Sequence, residues 1–184
     1  MIGKSKWLGR IVGIRLAVTL LLMLTLSPAA AHADVIAGFY AHEFGTSFPH
    51  AFVTLKGTTG DGTVVDTNYG FTAASVTPAI LMGSVKGIVE TEKQAYVASS
   101  HRRFSVVLND AQYAALMGVV TKWREMPGRS YDLGSRNCVH FVGEAAQAIG
   151  LHVLFEKALM KRPHSFLDNI LRLNPGLHAE PSGK

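Results

Sequence analysis

The sequence predicts an α+β domain in which a small antiparallel sheet packs against helices. Two observations carry this: short β-type runs separated by turn signals fill the first half, and two amphipathic helical patterns fill the second. A third observation gives the prediction its interest, because the only cysteine of the 184-residue chain falls at the start of one of those helices.

The β-type runs are Val35 to Tyr40, His50 to Leu55, Thr63 to Tyr69, Ser84 to Glu90 and Phe104 to Leu108. Each is rich in β-branched and aromatic residues and is bounded by residues that favour turns. Thr58-Thr59-Gly60-Asp61-Gly62 has the Gly and Asp content of a hairpin loop, so the second and third strands are expected to pair antiparallel. Pro78 bars a central strand from the Phe71 to Met82 region, which reads as a loop or a short helical turn.

After Leu108, apolar residues at Tyr113, Leu116, Met117, Val120 and Trp123 follow helical spacing, and Pro127-Gly128 stops the pattern. Asn109 with Gln112 forms the sequence signature of a capping box. A second helix is marked by Cys138, Phe141, Val142, Ala145, Ala146 and Ile149 on one stripe, with Gly150 as its stop. Ser135 or Asn137 can cap it, which places Cys138 in the first turn. A last helix runs from about His164 to Leu173, on Phe166, Leu167, Ile170 and Leu171, and residues 174–184 read as a flexible tail.

Residues 1–33 have the organisation of an export signal: a basic start, an apolar run from Leu16 to Leu26, Pro28, and small residues at Ala31 and Ala33. The apolar run is 11 residues, against the roughly 20 that span a bilayer, so cleavage before Asp34 and no stable membrane insertion afterwards are expected. The expected location is periplasmic or extracellular, and residues 34–173 form the expected domain. Lys4, Lys6, Arg10 and Arg15 account for nearly all of the net charge of +5, so the body of the chain has no excess with which to hold a nucleic acid.

A lone thiol in an oxidising compartment has no internal disulfide partner, and its place in a first helical turn favours the thiolate. A thiolate nucleophile needs an imidazole to hold its proton and a polar group to orient the imidazole. His50 opens a strand directly after Pro49, whereas His140 lies two positions beyond Cys138 on the far side of the same helix. Asp66, on the following strand, is the preferred orienter, with Asn68 on the same strand face as the reserve. Tyr131 reads equally as a cleft residue or a structural one. Neither HExxH nor CxxC spacing is present, so neither a metal nor another cofactor is expected.

The strand-opening His50, the hairpin with Asp66 and the segment Asn137-Cys138-Val139-His140-Phe141-Val142 together resemble the circularly permuted papain-like group. That group holds the lecithin-retinol acyltransferase-like proteins and permuted relatives of the NlpC-type peptidases. The resemblance spans Pro49 to Leu151 and implies Cys138 as nucleophile, His50 as general base and Asp66 as third member. It implies a thiol hydrolase or acyl-transfer enzyme acting on an amide or ester. Cell-wall peptides are the first expected substrates and acyl lipids the second. The alternative is an envelope binding module that keeps the fold without turnover. Val139 stands where acyltransferase-like members often have Glu, and Asp66 where many have a second histidine.

Overall fold

The computed structural model describes residues 34–43 and 48–178, all within one compact unit, Ala31–Lys184. The expected leader, residues 1–33, lies outside the described residues. Five strands form one antiparallel sheet: β1 (Asp34–His42), β2 (His50–Thr58), β3 (Val64–Ala73), β4 (Gly87–Glu90) and β5 (His101–Leu108), in the order β4-β3-β2-β1-β5. Among the described residues, four helices accompany it: α1 (Gln94–Ala98), α2 (Asp110–Arg124), α3 (Cys138–Ala148) and α4 (Pro163–Leu173). The α+β architecture expected from the sequence is therefore present.

The alternation of side chains along β1 and β2 explains the layers. Val35, Ala37, Phe39 and Ala41 of β1, with Ala51, Val53 and Leu55 of β2, are fully buried in one core. Against them lie Leu116, Val120 and Trp123 of α2, the Cys138 stripe of α3, and Phe166, Leu167 and Ile170 of α4. Phe52 is also fully buried, but with Tyr40, Tyr96 and His50, whose rings stack or tilt against it. Aromatic rings thus cover Phe52 on the face of β2 that carries His50.

The local signals act as their chemistry predicts. Asn109 accepts a hydrogen bond from the Gln112 amide at 2.9 Å and its own amide donates to Gln112 Oε1 at 3.1 Å, closing the capping box of α2. The β2–β3 turn is held by Asp61, whose Oδ1 accepts from the Thr63 amide at 3.0 Å, and Gly62 takes a φ of +87°, a region that glycine enters without strain. Helix α1 carries no clear apolar period and was not foreseen. The region around Pro78 forms a 3-10 turn, Pro78–Leu81, as its proline allows. Within the expected tail, Asn174 and Leu177 are tied to the domain: the Asn174 side chain bonds the His152 amide and the Ile170 carbonyl, and Leu177 packs on the core, while residues 179–184 lie outside the described residues. Among the described residues, no helix is long and apolar enough to cross a membrane.

Candidate active site

Asn137 sets the start of α3, and it does so with every hydrogen-bonding group of its amide. Its Oδ1 accepts from the Val139 amide at 2.9 Å and from the His140 amide at 3.4 Å. Its Nδ2 donates to the carbonyls of Leu133 at 2.9 Å and Met160 at 2.7 Å. The residue is buried, so these bonds replace those that water would otherwise make. His140 Nδ1 lies 3.0 Å from Asn137 Oδ1 and 3.3 Å from the Asn137 amide, completing the cap. His140 is therefore engaged in shaping the helix terminus, on the side away from the thiol.

The loop entering α3 is equally fixed. Asp132 Oδ1 accepts from the Gly134 and Ser135 amides at 2.9 Å, and its Oδ2 accepts from Ser84 Oγ at 3.1 Å. Val85 and Tyr131 exchange two backbone hydrogen bonds of 2.9 Å, which tie the segment before β4 to this loop. Cys138 thus stands as the first residue of a helix whose entry is bonded on both sides.

The structure brings Cys138 and His50 together. The Cys138 thiol hydrogen bonds the His50 side chain, and the backbone amides of Ala51 and Val139 favour its charged form. Burial favours the neutral thiol, but the His50 imidazolium and these donors outweigh it, and the thiol is held below its ordinary value. Burial also disfavours a charged His50 ring, yet the facing Cys138 thiolate and the Glu92 carboxylate raise it to about 10. Both shifts point the same way, favouring the proton on the imidazole and the charge on sulfur.

Asp66 does not join them. Cross-strand pairing sets Lys56 opposite Asp66, Thr54 opposite Asn68 and Phe52 opposite Gly70. Asp66 shares the strand face of His50 but lies about 20 Å along it, since six residues separate His50 from Lys56. Its carboxylate is exposed and stands 3.8 Å from Lys56 Nζ. Asn68 lies opposite Thr54, and its side chain bonds the Glu92 backbone instead.

The group that faces His50 is Glu92, whose Oε1 lies 3.3 Å from His50 Nε2. The contact is an ion pair whose alignment falls short of a well-formed hydrogen bond. With Nε2 toward Glu92, Nδ1 is the ring nitrogen left for the thiol. Asn68 holds Glu92 in place: its Oδ1 accepts from the Glu92 amide at 2.6 Å and its Nδ2 donates to the Glu92 carbonyl at 3.1 Å. Gly70, beside this row, makes the space, since a Cβ there would lie 2.5 Å from His50 Nε2.

His50 and Glu92 open into a cavity of about 640 Å³, bounded also by Tyr96, Tyr131 and the Pro78–Leu81 turn. Tyr131 is a cleft residue, and burial together with the negative charge of Cys138 and Asp132 pushes its hydroxyl up to about 12. Tyr96 is raised further by burial and by Glu92 and Cys138, so both phenols stay neutral. Glu90 is raised as well, through burial and the adjacent Glu92. Among the described residues, no group of three or more His, Cys, Asp or Glu side chains is placed to hold a metal ion.

No family model matches the sequence. No curated protein matches it. Among solved structures, the chain is similar to a crystal structure of a type VI secretion system effector, TseH, at 14% identity and a TM-score of 0.48, over 83% of this chain and 100% of that one.

Proposed function

We propose that the protein is an exported thiol hydrolase or acyl-transfer enzyme of the papain-like type, acting on an amide or ester bond. The observation that carries this reading is the contact of a first-turn thiol with a partly buried imidazole that a carboxylate faces from its other side. An inert core cysteine needs neither partner.

In this reading the Cys138 thiolate attacks the carbonyl carbon of the substrate, forming a carbon–sulfur bond. The oxyanion that develops lies near the Cys138 amide, which as the first of the helix has no carbonyl one turn earlier to bond. As the tetrahedral adduct collapses, His50 donates its proton to the departing nitrogen or oxygen, leaving a thioester on Cys138. Neutral His50 then takes a proton from water or another acceptor, which attacks the thioester and regenerates the thiolate. Glu92, in the role that the resemblance gave to Asp66, orients the ring and favours its charged form. The candidate substrates remain cell-wall peptides and acyl lipids, which an exported enzyme would meet.

A second reading, a binding module without turnover, draws on the thiol's burial, since Cys138 is only 6% exposed. The two separate on one comparison. Incubation with an activated ester should give a covalent acyl adduct on the wild-type protein, visible as an added mass at Cys138, and none on Cys138→Ala. Absence of the adduct on wild type would remove the enzyme reading and leave the module.

A further inference from the structure

We propose that residues 75–83, between β3 and β4, form a flap that closes onto the lip carrying Phe48 and so seals the cavity into which His50 and Glu92 open. What the flap serves rests on the thiol reading above. The flap itself stands on the fold.

The segment is tied down at both ends and nowhere between. At one end the Ala74 amide donates to the Lys86 carbonyl at 2.8 Å. At the other, Val85 and Tyr131 exchange two backbone bonds of 2.9 Å, and Ser84 Oγ donates to Asp132 Oδ2 at 3.1 Å. Between these anchors the hydrogen bonds stay inside the segment, from the Ile80 amide to Thr77 and from the Met82 amide to Ala79, and none joins it to the other described residues. The turn Pro78–Leu81 buries no side chain. A stretch with so few outside contacts moves at little cost, while the strands on either side stay paired. A connection as long as residues 74–86, with one short turn of its own, is uncommon unless it works as a lid or a binding loop. Gly83, beside the Ser84 anchor, has a φ of +149° and open space around it, which suits a pivot.

The flap supplies Val76, Pro78, Ile80 and Leu81 to the cavity wall, and Phe48 and Pro49 supply a second lip. Both leave the same end of the sheet, because β2 starts and β3 ends there on neighbouring antiparallel strands. As they stand, Val76, Leu81 and Phe48 are 65%, 81% and 69% exposed. Closure takes this apolar surface out of water, and no polar group of the flap loses an outside partner by it. It also excludes water from His50 and Glu92, whose attraction strengthens in a drier site. The flap thus gates both the substrate and the water that later attacks the thioester.

The test is disulfide trapping in the full chain. On a Cys138→Ala background, Phe48→Cys with Leu81→Cys places one exposed thiol on each lip. Phe48→Cys with Val64→Cys is the control, since Val64 is exposed at the far end of β3. With oxidised glutathione, the lip pair should form its intramolecular disulfide at least about tenfold faster than the control pair. Equal rates would overturn the flap. With Cys138 present, Phe48→Ser and Leu81→Ser should each lower the Cys138-dependent turnover of p-nitrophenyl acetate about threefold or more, with thermal unfolding unmoved. Fast trapping with turnover unmoved by both variants would also overturn the proposal, because closure would then serve nothing at His50. No Cys138-dependent turnover in the wild type would remove the thiol reading, while the trapping rates would still decide whether the flap closes.

Discussion

Asn68 grips the backbone of Glu92 with two hydrogen bonds, of 2.6 and 3.1 Å, and so fixes the carboxylate that faces His50. The carboxylate that faces the imidazole is therefore itself held from β3, one strand away from His50. This gives Asn68 a part in the site through Glu92, and it makes Glu92 the residue whose charge should matter.

Glu92→Gln keeps the shape and removes the charge. The Cys138 thiol should become less acidic and kcat should fall by about ten- to a thousandfold, with KM little changed, because the group acts on the imidazole and not on bound substrate. Asp66→Asn should leave kcat within about twofold, since an exposed ion pair of this kind contributes little. Steady-state kinetics on the two variants side by side decides between them, and a large loss in Asp66→Asn alone would contradict the site described.

Gly70→Ala puts a methyl group 2.5 Å from His50 Nε2. The ring can swing away, so the fold should survive with a loss of about 1–3 kcal/mol, while the thiol loses its partner. Thermal unfolding and the pH dependence of thiol alkylation, measured on the same sample, should show a modest shift in the first and a large one in the second. An unchanged alkylation profile would mean that His50 does not need the space beside Gly70.

Asn137→Ala removes five hydrogen bonds at once and leaves buried donors and acceptors unpaired at the start of α3. The expected loss is about 3 kcal/mol or more, read by denaturant unfolding. Asn137→Asp keeps the acceptor for the Val139 and His140 amides but loses the donor to Leu133 and Met160. It should therefore recover part of that stability and no more.

What the sequence made legible and what it did not follow from the range of the forces involved. The capping box at Asn109, the helix starting at Cys138 and the strand opening at His50 are decided by neighbours a few residues away, and each stands where periodicity predicts. The contact between Cys138 and His50 was reachable because a thiolate needs an imidazole and few histidines sit on a strand. Glu92 was not reachable in that way. It lies just beyond β4 and approaches His50 only through the pairing of β3 with β4 and the grip of Asn68. Asp66 misled because alternation along a strand fixes the face but not the row. The β2–β3 turn determines the row, and it sets Asp66 against Lys56. Asn68, paired with Glu92 in two bonds, was the one sign of that carboxylate, legible only once the strands are laid side by side.

The most direct test of the thiolate–imidazolium pair is the rate of iodoacetamide alkylation of Cys138 as a function of pH, in wild type and in His50→Ala. A thiol with the ordinary value of 9.0 loses reactivity as pH falls below it. Here the thiol is lowered and the imidazole raised to about 10, so the ion pair should keep the wild type reactive well below pH 9. His50→Ala should move that acidic limb upward, toward or beyond the ordinary value. Slow alkylation with an ordinary or raised profile, indifferent to His50, would make Cys138 a structural thiol and contradict the account.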